Sequence, residues 1–174
     1  MTYEELCKQV RDEFPKFKEV DKGKSLLMKC IHVLLLIVTL GGMSYFQKDF
    51  TTTLGYTVYL PLKWGSMSDV SKMIVLRHER VHMRQRRKYG ALLFSFLYAF
   101  FPLPLFFAYF RMKFEMEAYA ESLRAMVEYQ CQVGGPEQKE RFVGYFTGPS
   151  YFWTWPWKKR VEKWYDSAVK EALG

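Results

Sequence analysis

Cysteine and histidine are both scarce in this chain, three of each among 174 residues. Cys7, Cys30 and Cys131 are odd in number, far apart and form no Cys-x-x-Cys pair, which excludes a disulfide-stapled secreted mini-protein. There is no internal repeat and no low-complexity segment. The first residues carry Glu4 and Glu5 rather than a basic stretch ahead of an apolar run, so no cleavable signal peptide is expected. Long apolar runs are also lacking. Positions 31–46 are free of formal charge but contain His32 and the Gly41-Gly42 pair, and positions 91–110 are interrupted by Pro102 and Pro104. A spanning helix needs about 20 predominantly apolar residues, so the first stretch is short and the second is broken by proline. Two buried half-helices joined by a turn are expected over 91–110. Basic clusters flank that stretch on both sides, Arg84 to Lys88 before and Arg111 and Lys113 after, so it has no positive-inside asymmetry. The expected location is cytoplasmic or membrane-associated, with a soluble or peripheral protein favoured over an integral one and peripheral membrane contact as an expected partner.

What is present is ordinary for a folded domain in all but its rings. Apolar residues at 49% and charged residues at 25% exclude disorder for most of the chain. Aromatics reach 18%, enough to fill a core or line a membrane interface. The length predicts one domain over 1–174, with N-terminal helices at 1–48, a central core at 49–130 and an aromatic C-terminal segment at 131–174. Residues 2–14 read as an amphipathic helix with Leu6, Val10 and Phe14 on one face. A lysine-rich connector follows at 15–24, then a buried helix over 26–40. Positions 50–60 are rich in Thr, Tyr and Val and predict a strand with a turn or bulge at Gly55 and a stop at Pro61. Ser68 is a candidate N-cap for a helix running to about Lys88. A second long helix is predicted over 105–130, ended by Gly134-Gly135-Pro136, and an amphipathic helix over 160–173 closes the chain. The predicted class is α+β, mainly helical, with a small sheet or hairpin ahead of the motif helix.

Two of the three histidines fall within one helical turn, in the run His78-Glu79-Arg80-Val81-His82. Positions i and i+4 of a helix lie one above the other, so both imidazoles point the same way and can share one metal ion. Glu79 sits beside them, where a carboxylate can take a proton from a metal-bound water. Stepping 100° per residue, the histidine face also carries Ser71, Ile74, Val75, Val81, Gln85 and Tyr89. The opposite face carries Arg77, Arg80, Arg84, Arg87 and Lys88. The ligand pair therefore lies on the inward stripe and the arginines on the outward one. A catalytic zinc takes three protein ligands and keeps an open position. No histidine follows His82, so the third ligand is expected to be a carboxylate from the Glu-Met-Glu-Ala-Tyr-Ala-Glu run at 115–121. Glu117 and Glu121 share a face on which Phe110 and Phe114 also lie; Glu115 points about 160° away from Glu117 and is expected to be solvated.

HERVH, an apolar proline-containing stretch and Glu-x-Glu-Ala-x-Ala-Glu together resemble the gluzincin metallopeptidases over about positions 75–123. The pattern is most similar to the membrane-associated antirepressor and β-lactam-sensor peptidases, and also to minigluzincins and ImmA/IrrE-type peptidases. The resemblance implies a zincin-like core. It also implies Glu117 as the third zinc ligand and Glu121 as the acid that orients a ligating histidine; those families carry Asp where this chain has Glu121.

With straight helices, the outward run from His82 and the return run to Glu117 would miss by roughly 8 Å at about 1.5 Å per residue. A break at Tyr89-Gly90 removes the mismatch and is predicted there. The implied activity is hydrolysis of peptide bonds. A Zn2+ held by His78, His82 and Glu117 would activate water, and Glu79 would act as general base. The 50–60 strand would bind a peptide or protein substrate along its edge. Tyr145, Tyr151 and His32 are candidates to stabilise the oxyanion. The WTWPW run at 153–157 is read as aromatic packing ahead of a cleft lid. The alternative is a zinc-binding or membrane-peripheral interaction protein without catalysis. Nucleic acid is disfavoured as a partner, because the basic run at 84–88 comes with no nucleic-acid motif.

Overall fold

A computed structural model describes residues 1–39, 41–99, 108–148, 155 and 157–174. The Pro102–Pro104 turn, Tyr151 and most of the WTWPW run lie outside the described residues. The described chain is mainly helical with one three-stranded sheet, and it divides into two compact units, Met1–Met83 and Arg84–Gly174. The boundary falls within one continuous helix.

The first unit opens with α1, Tyr3–Glu13. Thr2 caps it: its hydroxyl accepts from Glu5 N, while Glu5 accepts from Thr2 N at 2.8 Å, a reciprocal capping box. Leu6, Cys7, Val10 and Phe14 are buried on its inner face, as the apolar spacing predicts. The lysine-rich connector is more ordered than its composition implies. It contains β1, Lys18–Asp21, followed by a 3-10 turn at Lys22–Lys24 capped by Asp21. β1 pairs in parallel with β3, Thr57–Leu60, with Lys18 opposite Thr57 and Asp21 opposite Leu60. On the other side of β3 lies antiparallel β2, Thr52–Leu54, giving the order β1-β3-β2. The expected strand over 50–60 is thus a hairpin, turned at Gly55, whose φ of +70° is the left-handed conformation that glycine adopts without strain. β3 is the central strand, so of the two hairpin strands β2 is the one with an open edge among the described residues.

α2, Leu26–Val38, starts at Ser25, whose hydroxyl accepts from Met28 N at 3.3 Å, and ends at Thr39. The apolar run predicts a buried helix. Instead Met28 is fully covered, while Leu26, Leu27, Val33, Leu34 and Ile37 are exposed. A helix apolar all round has more greasy surface than the one face its neighbours cover. The short helix α3, Phe46–Asp49, completes this part of the unit and places Phe46 in its core.

α4, Asp69–Tyr89, is the motif helix. Ser68 caps it as expected, accepting from Ser71 N at 3.2 Å. Arg80 reaches back to Glu13 at the end of α1, Nε to Oε2 2.6 Å, with both side chains largely covered. Arg84, Arg87 and Lys88 are exposed, which gives part of the +8 charge a location.

The last turn of α4 belongs to the second unit. The helix stops at Tyr89, and Gly90 takes φ +79° before α5, Ala91–Ala99, begins. That is the predicted break. α5 exposes Leu92, Leu93 and Phe96, so this half-helix is not the buried element expected. Its nine residues are almost all apolar, and its packing on α6 covers one side only. α6, Tyr109–Glu128, runs through the middle of the unit. The chain then turns at Gln130 (φ +58°) into α7, Pro136–Thr147, a helix that the glycine-proline punctuation concealed. Proline suits this first position because its missing N–H would be unpaired there anyway. α8, Lys158–Leu173, packs on both α6 and α7. Met112, Met116, Phe146, Trp155 and Val161 form one buried cluster. Leu123, Phe142, Tyr165 and Ala168 form a second. Each such large side chain contributes about 1.5–3 kcal/mol by leaving water. Trp155 is core packing, which bears out the reading of that residue of the aromatic tail.

Candidate metal centre

The three motif residues of α4 are all buried: His78 at 8% exposure, Glu79 at 6% and His82 at 7%. The one-turn spacing brings the histidine rings together, their centroids 4.9 Å apart and their planes at 76°. Both present Nε2, and the two nitrogens are 3.2 Å apart. Two nitrogens bound at about 2.0–2.1 Å to one tetrahedral zinc lie about 3.3 Å apart, so the pair has the spacing of a bidentate metal grip.

Glu79 has a counter-charge that no sequence signal announced. Lys22, from the 3-10 turn after β1, is fully buried. Its ammonium donates to Phe50 O at 2.7 Å and to Phe46 O at 3.2 Å, and lies 3.6 Å from the centre of the Phe46 ring. Burial pushes its pKa from 10.5 down to about 7, and the Glu79 carboxylate pulls the other way. A lysine in a connector carries no periodic or motif signal; only the docking of the 3-10 turn, α3 and α4 in one unit reveals it.

In the second unit the acids of α6 divide contrary to expectation. Glu115, expected to be solvated, is buried at 2% exposure. Glu117, expected to face inward, is exposed and accepts from Gln85 Nε2 at 2.9 Å. Glu121 is half-buried and pairs loosely with Arg124 one turn on, at 3.5 Å. The physical reason is that α6 is covered on most of its circumference. Met112, Phe114, Glu115, Met116, Ala118, Ser122, Leu123 and Ala125 are all buried, so Phe110 and Phe114 do not define a unique inward stripe. Two further residues hold this region. Gln85 Nε2 also donates to the Phe114 carbonyl at 3.0 Å, which ties the last turn of α4 to the backbone just before Glu115. The Tyr98 hydroxyl of α5 donates to Glu115 Oε1, and Arg111 holds Tyr98 in turn through its carbonyl at 2.9 Å. Gln85 was legible as a member of the histidine face. Tyr98 was not, because it lies in a run of aromatics with no spacing to single it out.

No family model, curated protein or solved structure matches this chain.

The other expected contributors fall elsewhere. His32 is half-buried and stacks on Phe46, with Nδ1 buried and lacking a hydrogen-bond partner among the described residues. Tyr145 stacks on Tyr119 at 5.2 Å within the second unit, and burial raises its pKa.

Proposed function

We propose that this chain is a zinc-dependent peptidase with a zincin-like core, in which His78, His82 and Glu115 hold the metal and Glu79 is the general base. The observation that carries the reading is the 3.2 Å separation of two buried Nε2 atoms with a buried carboxylate on the next residue. His78, His82 and Glu115 are three buried side chains that each offer a metal-ligating atom. Two nitrogens and one carboxylate oxygen are a donor set that zinc favours, and three protein ligands leave a position open for chemistry. Glu115 replaces the Glu117 that the resemblance implies, because Glu117 is exposed and engaged by Gln85.

A bound Zn2+ supplies Lewis acidity and lowers the pKa of a coordinated water towards about 7. The chain's own groups do the rest. Glu79 takes up a proton on its carboxylate and delivers it to the leaving amine. The Lys22 ammonium and the Glu79 carboxylate attract one another within the first unit. Tyr98 holds one oxygen of Glu115 by its hydroxyl and so limits the rotation of that carboxylate. Substrate would pair with the open edge of β2, whose backbone groups can receive an extended peptide.

Metal content and cleavage of an unfolded protein such as casein test the reading together. His78→Ala and Glu115→Ala should each lose stoichiometric zinc, while Glu117→Ala should retain it. Glu79→Gln should keep zinc and lose at least about a hundredfold in cleavage rate. Zinc retained in Glu115→Ala but lost in Glu117→Ala would restore Glu117 as ligand. Full activity in Glu79→Gln would refute the mechanism.

A further inference from the structure

The least expected surface of the molecule is the outer face of α2. Leu26 is 76% exposed and Ile37 67%; Leu27, Val33 and Leu34 are each more than half exposed, as is Tyr45 just beyond the helix. Cys30 lies exposed among them. Scattered apolar residues on a surface mean little, but a contiguous helical face of this kind marks an interaction site. The charges around it indicate what it meets. Positions 22–48 contain Lys22, Lys24, Lys29 and Lys48 and not one Asp or Glu. Lys22 is buried, so the solvent-facing charge consists of Lys24 and Lys29 at the start of the helix and Lys48 beyond its end, all positive.

We infer that α2 is an interfacial anchor that lies flat in the surface of an anionic lipid bilayer. Its apolar face would enter the acyl boundary while Lys24, Lys29 and Lys48 meet the headgroups. The helix has 13 residues, hence a length of about 20 Å, against the roughly 30 Å of a hydrocarbon core. Among the described residues no helix is long and apolar enough to cross a membrane. Lying in the plane is the geometry left to it, with an apolar face and flanking lysines as such helices require. The exposed Tyr45 suits the headgroup level, where an apolar ring and a polar hydroxyl are both satisfied. A second copy of the chain fits this face less well. Self-pairing would bring together two helices on which the charges within positions 22–48 are all positive. The anchor is independent of the peptidase reading and would hold for a chain without catalysis.

The test is flotation with vesicles of phosphatidylcholine alone and with about 30% phosphatidylserine, in low and high salt. The wild-type chain should float with the anionic vesicles and be released by salt. Lys24→Glu/Lys29→Glu should bind the anionic vesicles at least about 25-fold more weakly, from about fivefold per lost basic contact. Leu34→Glu/Ile37→Glu, at exposed positions that leave the core intact, should reduce binding to both vesicle types at least about tenfold. A fluorophore on Cys30 in a Cys131→Ser background should shift to the blue on addition of anionic vesicles. Binding unchanged in Leu34→Glu/Ile37→Glu would overturn the anchor. So would a failure of the wild type to float, or a Cys30 signal that changes with protein concentration and not with lipid; the last result would assign the face to a second copy.

Discussion

At the scale of single residues, Lys22 is the fully buried cation whose charge state the fold changes most. Its pKa falls from 10.5 in the unfolded chain to about 7 in the fold. Between those values the unfolded state binds more protons than the folded one, so the stability this residue contributes rises as pH rises through that window. Below about 7 the full cost of burying the ammonium is present. Urea unfolding of wild type and Lys22→Met at pH values of about 7 and about 9.5 checks the sign. The difference between the two proteins should move in favour of wild type at the higher pH by on the order of 2 kcal/mol. Glu115 teaches a related lesson. It was expected to be solvated, but whether it faced core or solvent depended on what packs around α6. Helical phase ranks positions only when one side of a helix is wet.

At the scale of elements, the end signals read for the motif helix hold: Ser68 caps α4 and the chain breaks at Gly90. Gly90 should therefore be sensitive to substitution for a backbone reason alone. A methyl group at this position would meet nothing within 4 Å, so Gly90→Ala should cost about 1–2 kcal/mol through its positive φ, and Gly90→Asn less, as read by chemical denaturation. Thr2→Ala removes the capping box and should cost about 1 kcal/mol in the same measurement, with fraying of α1 seen as faster amide exchange in its first turn. β1 and α7 went unseen for opposite reasons. β1 has only four residues and draws its order from parallel pairing with β3, a partner distant in sequence. α7 begins at Pro136, which reads locally as a stop and serves here as a first helical residue.

At the scale of the molecule, each unit has its own core. In the second, α8 is the common partner of α6 and α7, and the clusters around Trp155 and around Leu123 fill the spaces between them. Leu123 is fully buried, so Leu123→Ala should cost about 2–5 kcal/mol and raise amide exchange in α6 and α8 together. Tyr165→Phe removes a buried hydroxyl that donates to Gln138 at 2.7 Å and should cost about 1 kcal/mol without opening a cavity. The first unit distributes its apolar residues differently. Its other elements cover one side of α2 and leave the opposite side of that helix exposed.

The sequence alone determined the helix that carries the motif, its cap, its break and the pairing of His78 with His82, because all of these follow from spacing within a few residues. The small sheet ahead of that helix was legible as β-rich composition, although its third strand was not. Only the tertiary structure decided which acid of α6 is buried, that Lys22 is the counter-charge of Glu79, and that α2 and α5 keep apolar faces uncovered. Those outcomes depend on which surfaces meet across long stretches of chain. Local periodicity can say that a helix is apolar, but not how much of it its neighbours can cover.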